Sequence, residues 1–169
     1  MSKKLLSFLA ALFIIIFCAA KDDKVQTIKD YVAKISSETK IEDGFDLIKV
    51  EREKRSKYRA YYQNEELVFI NENLDIGMRG KSSNRYFFRH NGLVYYSEQT
   101  ILLQDDSLKI NTKTMLKSDI YFDSTNVLES ARIIGGAIVP LSEIETSSII
   151  EHSKILKELA DLNKPVDKK

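Results

Sequence analysis

Apolar residues follow three different rhythms along this chain. The first is an unbroken apolar or small stretch of 16 residues from Leu5 to Ala20, preceded by Lys3 and Lys4 and ended by Lys21, Asp22 and Asp23. A charged start, a short greasy middle and small exit residues describe a secretory signal, and the stretch is short of the roughly 20 residues that span a bilayer. The second rhythm is helical. Val25, Ile28, Val32 and Ile35 recur at spacings of three and four, which predicts a helix with one apolar stripe. Asp22 or Asp23 is the expected cap, Glu38 the approximate end and Gly44 the stop.

The third rhythm is strand-like and runs from residue 45 to about 134. It contains a repeat. Tyr61-Tyr62, Phe87-Phe88 and Tyr121-Phe122 are each followed by four polar or turn residues, then by Leu67-Val68, Leu93-Val94 and Val127-Leu128. Aromatic and branched side chains suit a pleated surface, and Asn and Gly supply the backbone angles of tight turns. The pattern predicts three β-hairpins of one design. Their spacings, 26 and 34 residues, are too unequal for a strict solenoid, so a continuous antiparallel meander is expected. Tyr86-Phe87-Phe88 and Leu93-Val94-Tyr95-Tyr96 place large apolar side chains on both sides of the sheet, because successive strand residues point to opposite faces. Both faces therefore need a cover. Helices are expected on one, and curvature, a partner chain or a ligand on the other.

Pro140 closes the strand region, and Ser142-Glu143-Ile144-Glu145 has the form of a capping box. A second helix is expected to about Leu162, with Ile144, Ile155, Leu159 and Leu162 as its apolar stripe and Asn163 to Lys169 as a disordered tail. The expected organisation is a signal over 1–20, one α+β domain over 21–162 and a tail over 163–169. The domain is a curved antiparallel meander of seven or eight strands between an N-terminal and a C-terminal helix.

The segment Phe87 to Tyr95, with Asn91-Gly92 followed by Leu93, resembles the Tyr-x-x-Asn-Gly-x-Leu-type repeats of exported bacterial β-meander proteins, MORN-like or antitoxin-like. The other two copies lack the Asn-Gly pair. The resemblance implies a binding or structural role and brings no functional residues with it.

Composition changes this picture in two places. Cys18 is the only cysteine, so no disulfide can form within the chain and the fold must rest on its core. Ile15-Ile16-Phe17-Cys18 also resembles a lipobox, in which Cys18 would be acylated. Bulky Phe17 departs from that pattern, and cleavage after Ala20 is the reading preferred over lipidation of Cys18. Net charge is close to neutral, with 26 basic and 25 acidic side chains, which gives no global pull toward nucleic acid or anionic lipid.

Candidate chemistry is sparse. His90 falls at a hairpin tip and His152 on the last helix, too far apart to suggest a zinc site. Asp105, Asp106 and Ser107, or Asp119 with Asp123, lack calcium-loop spacing. There is no G-x-S-x-G elbow and no phosphate-cradling glycine loop, and Gly135-Gly136 reads as a strand end. No enzyme activity, cofactor or metal is expected. Lys49, Arg52, Lys54, Arg55, Lys57 and Arg59, interrupted by Glu51 and Glu53, suit either a solvated edge strand or an anionic partner. A long loop, Asn73 to Ser83, is expected to carry Arg79 and Lys81 as binding candidates. The expected function is a non-catalytic exported binding or interaction module. Its working surface would be an aromatic sheet face with Tyr62, Tyr86, Phe88, Tyr95 and Tyr96. The alternative is a carrier of a lipid or other apolar ligand. Expected partners are a protein or an apolar ligand, with a membrane tether through Cys18 if that residue is acylated.

Overall fold

The computed structural model describes residues 3–40, 43–51, 54–104 and 112–165, the side chains of 3–20, 51, 54, 78, 104, 112 and 113 aside. Asp105, Asp106, Ser107 and Arg52, the side chains of Cys18 and Lys54, and residues 166–169 lie outside this description.

Helix α1 (Lys3–Glu38) is followed by eight strands: β1 (Gly44–Glu51), β2 (Lys54–Gln63), β3 (Glu66–Asp75), β4 (Gly80–Arg89), β5 (Gly92–Gln104), β6 (Thr112–Asp123), β7 (Asn126–Ile134) and β8 (Ala137–Ile138). Helix α2 (Glu143–Leu162) closes the fold. The strands form one antiparallel sheet in sequence order, β1 to β8, the α+β meander that the repeat predicts.

The repeat has a physical meaning in the register. Each of the three hairpins turns through two residues, with positive φ at Asn64 and Glu65, at His90 and Asn91, and at Ser124. Each also shifts register between the two members of its aromatic pair: Tyr61/Tyr62, Phe87/Phe88 and Tyr121/Phe122. Such a bulge sets two residues of one strand against one of its neighbour and bends the ribbon. Here the extra residues are Val68, Val94 and Leu128. The result is an even division. Tyr62, Phe88 and Phe122, with Leu67 and Leu93, join one hydrophobic cluster, while Tyr61, Phe87, Tyr95 and Tyr121, with Val68, Val94 and Leu128, join another on the opposite face.

Each face has its own helix. The second cluster is closed by Ile28, Tyr31, Val32 and Ile35 of α1. The first is closed by Ile149, Ile150, Leu156, Leu159 and Ala160 of α2. Two helices thus supply the cover that the sequence expects helices to provide on one side only. Burying an aromatic or aliphatic side chain of this size stabilises by about 1.5–3 kcal/mol.

Four local expectations differ from what is found. Asp22 and Asp23 do not cap α1, because the helix is continuous from Lys3. No Gly or Pro interrupts residues 3–38, so nothing in the chain breaks it there. The stripe expected on α2 is rotated: Ile144 and Leu162 are each 81% exposed and Ile155 is exposed, while Ser153, Leu156 and Ala160 are buried. Small Ser153 and Ala160 let the helix lie close to the sheet, and a polar member hid the stripe. The loop Asn73 to Ser83 is instead strand up to Asp75 and from Gly80 onward, joined through a short 3-10 turn, Gly77–Arg79. Its polar residues are sheet residues. Gly80 has φ of 131°, and a Cβ there would lie 1.9 Å from the carbonyl oxygen of Ile101, so only glycine starts β4 so close to β5. Finally, Asn163 and Lys164 are engaged: Asn163 Nδ2 donates to the Leu159 carbonyl at 2.8 Å, and Lys164 pairs with Glu65.

Candidate functional site

On the α2 face the sheet carries a cross-strand polar row. Tyr58, Glu72, Asn84, Glu98, Ser118 and Arg132 oppose one another in register from β2 to β7. At its centre Glu72 is fully buried. A buried carboxylate is costly unless its oxygens are filled by donors, and four side chains fill these. Ser56 Oγ donates to Oε1 at 2.5 Å. Asn84 Nδ2 and Tyr86 OH donate to Oε2 at 3.2 and 3.0 Å. His152 Nε2, from α2, lies 3.0 Å from Oε1 and 3.1 Å from Oε2.

The electrostatics follow from that arrangement. Burial alone raises the Glu72 pKa, but the His152 hydrogen bond and charge, with the bonds from Ser56 and Asn84, outweigh it and bring the pKa from 4.5 down to about 2. The carboxylate is therefore ionised and accepts only, so the network assigns the proton on His152 to Nε2. Burial pushes the Tyr86 hydroxyl well above its ordinary value, and the neighbouring Glu72 charge adds to this. Tyr86 is a fixed donor. The network extends along β4 and β5, where Ser82 Oγ lies 2.7 Å from Asn84 Oδ1 and 2.6 Å from Thr100 Oγ1.

This cluster floors a cavity of about 310 Å³ between the sheet and α2. Lys49 of β1 and Ser148 and Ile149 of α2 stand around it, with Leu74 and the rings of Tyr86 and Tyr96 completing the wall. The volume is at the small end of ligand sites. His152 is the member that joins floor to solvent, with its side chain 34% exposed. With Nε2–H committed to Glu72, its Nδ1 is left to accept from a ligand when the ring is neutral.

The residues singled out in the sequence fall in several places. Tyr86, Phe88 and Tyr96 are buried under α2, whereas Tyr95 is buried on the α1 face and donates to Asp119. Tyr62 is half-buried, donates to Asp161 Oδ1 at 2.6 Å and lies under the Lys164 ammonium. Only Tyr86 and Tyr96 are brought together at the cavity, with ring centroids 5.1 Å apart. Arg79 and Lys81 are exposed. Lys81 sits on β4 and Arg79 in the turn before it. His90 is exposed at the β4–β5 turn, and Asp123 pairs with Lys24 at 2.6 Å.

Glu72 was missed, and one signal pointed to it. Ile70, Glu72 and Leu74 share a face by parity, so a strand continued past Ile70 buries Glu72. His152 gave no such signal, since its partner lies 80 residues away. No family model, no curated protein and no solved structure matches this chain.

Proposed function

We propose that this chain is a non-catalytic exported binding module that takes a small polar ligand in the cavity between Glu72, His152 and α2. The observation that carries the reading is a fully buried, fully hydrogen-bonded carboxylate at the floor of an open cavity. A network of this kind fixes side-chain positions before any ligand arrives, which lowers the cost of binding. It also argues against acid–base work by Glu72, whose oxygens are already occupied by four donors and whose charge is held. Ser148 and His152 offer a hydroxyl and a ring nitrogen to a ligand that carries acceptor and donor groups. Export rests on the Leu5–Ala20 pattern.

A second reading, carriage of a ligand with an apolar body, draws support from Leu74, Ile149, Tyr86 and Tyr96 in the same lining. Native mass spectrometry of the chain purified from its own cells tests both. The expected result is a retained small molecule that is lost in Ile149→Trp, which takes up cavity space and leaves the four donors of Glu72 unsubstituted. A polar molecule supports the first reading and a lipid the second. Wild-type protein that retains nothing, or that retains the same molecule as Ile149→Trp, overturns the cavity as a ligand site.

A further inference from the structure

Helix α1 covers only the hairpin-tip half of its face. Beneath it lies the row Tyr61, Phe69, Phe87, Tyr95 and Tyr121. Toward the opposite end of the strands the same face continues without a helix. One cross-strand row there begins at Ile48 and Lys57 and ends at Lys117, Ile133 and Ile138. The next row runs through Val50, Arg55, Asp75, Lys81, Ile101 and Met115. Every aliphatic side chain in the two rows is exposed: Ile48, Val50, Ile101, Met115, Ile133 and Ile138. The charged members of the two rows are Arg55, Lys57, Lys81 and Lys117 against Asp75, and Lys57 also pairs with Asp46 of the neighbouring row at 3.7 Å.

We infer that this uncovered half-face docks on an anionic lipid bilayer. The inference is independent of the cavity, which lies on the other side of the sheet. The excess of cations over anions in these rows complements a negatively charged surface. The six aliphatic side chains interleave with the cations in the same two rows. A surface that mixes exposed aliphatics with cations matches the boundary between headgroups and acyl chains, where burial and charge attraction add. A soluble polyanion would use the cations and leave the aliphatics in water. The α1 helix, which covers the hairpin-tip half of the same side of the sheet, also carries the apolar run Leu5 to Ala20. The basic cluster of the sequence is divided accordingly: Arg55 and Lys57 belong to this face, and Lys49 to the other.

The test uses the full chain bound to vesicles, in a Cys18→Ser background with a fluorophore on a single new cysteine. Met115→Cys reports the uncovered face, and Lys154→Cys reports the exposed side of α2. Quenching by brominated acyl chains is compared on vesicles of phosphatidylglycerol with phosphatidylcholine and on phosphatidylcholine alone. The expected result is several-fold stronger quenching at Met115→Cys than at Lys154→Cys on the anionic vesicles. The contrast should collapse on neutral vesicles, in about 0.5 M salt, and when Lys57, Lys81 and Lys117 are reversed to Glu. The salt arm acts on an unaltered surface and so stands even if the triple variant misfolds. Equal quenching at the two positions overturns the proposal, as does a contrast that survives on phosphatidylcholine or in salt.

Discussion

The two faces of this sheet are built from alternate residues of the same strands, yet they are different kinds of interior. Under α1 the central row is a ladder of rings, with centroids 5.2 Å apart for Tyr61 and Phe69, 4.6 Å for Phe69 and Phe87, 5.6 Å for Phe87 and Tyr95, and 4.9 Å for Tyr95 and Tyr121. Its geometry is that of tilted and stacked pairs, which add to area burial. Under α2 the pairs nearest the tips, Tyr62–Leu67 and Phe88–Leu93, are apolar, as is the row behind them with Ala60, Ile70, Tyr86, Tyr96 and Ile120. The next row is the polar one around Glu72. The dry row under α1 and the larger apolar cluster under α2 both hold the fold together. The mixed face fixes one position for α2, because only one placement brings His152 to Glu72 and Glu145 to Arg132. Buried ion pairs are weak sources of net stability but poor tolerators of misplacement.

That contrast can be broken at chosen residues. The largest loss is expected for Phe87→Ala at the centre of the dry face, about 3–5 kcal/mol, read as a lowered urea midpoint. Leu156→Ala on α2 should cost about 2–5 kcal/mol, since Leu156 is fully buried. Glu72→Gln should cost about 1–3 kcal/mol, less than the aromatic truncation, because the amide keeps an acceptor for some of the donors while the charge partner of His152 is lost. A double-mutant cycle with His152→Ala should show coupling between the pair. A costlier Glu72→Gln than Phe87→Ala would reverse the assignment of roles to the two faces.

Acid sharpens the same distinction. The folded-state pKa of Glu72 is depressed from 4.5 to about 2, so between those values the unfolded chain binds more protons than the folded one. The stability this gives is complete above pH 4.5 and disappears as the pH falls through about 2. Urea midpoints should fall across that window in the wild type and fall less in Glu72→Gln. A smaller effect is expected for Tyr31→Phe, which removes the 2.5 Å hydrogen bond from α1 to the Phe88 carbonyl and should cost about 0.5–1.5 kcal/mol. The smallest is Leu162→Ala, within about 0.5 kcal/mol, because Leu162 projects into solvent. A large loss there would restore the stripe read from the sequence of α2.

Much of the architecture was legible in the chain, and the candidate site was not. The aromatic pair, turn and aliphatic pair of each hairpin are contiguous, and local chemistry suffices to form them. Val25, Ile28 and Ile35 announce the buried side of α1 by spacing, and all three are buried. On α2 the same rule failed, because the contact side includes Ser153, Ala160 and His152 while Ile144 and Leu162 face out. Hydrophobicity alone does not tell which side a helix buries when the partner surface is partly polar.

By itself the sequence determined the order of elements, the three hairpins and the need to cover both sides of the sheet, since these follow from alternation and from turns of a few residues. Only the tertiary structure decided which helix takes which face, where Glu72 finds His152 and which half-face stays open. Those depend on register and helix placement over as many as 100 residues of separation. No local pattern encodes a contact at that range, because its free energy exists only after the intervening sheet has formed.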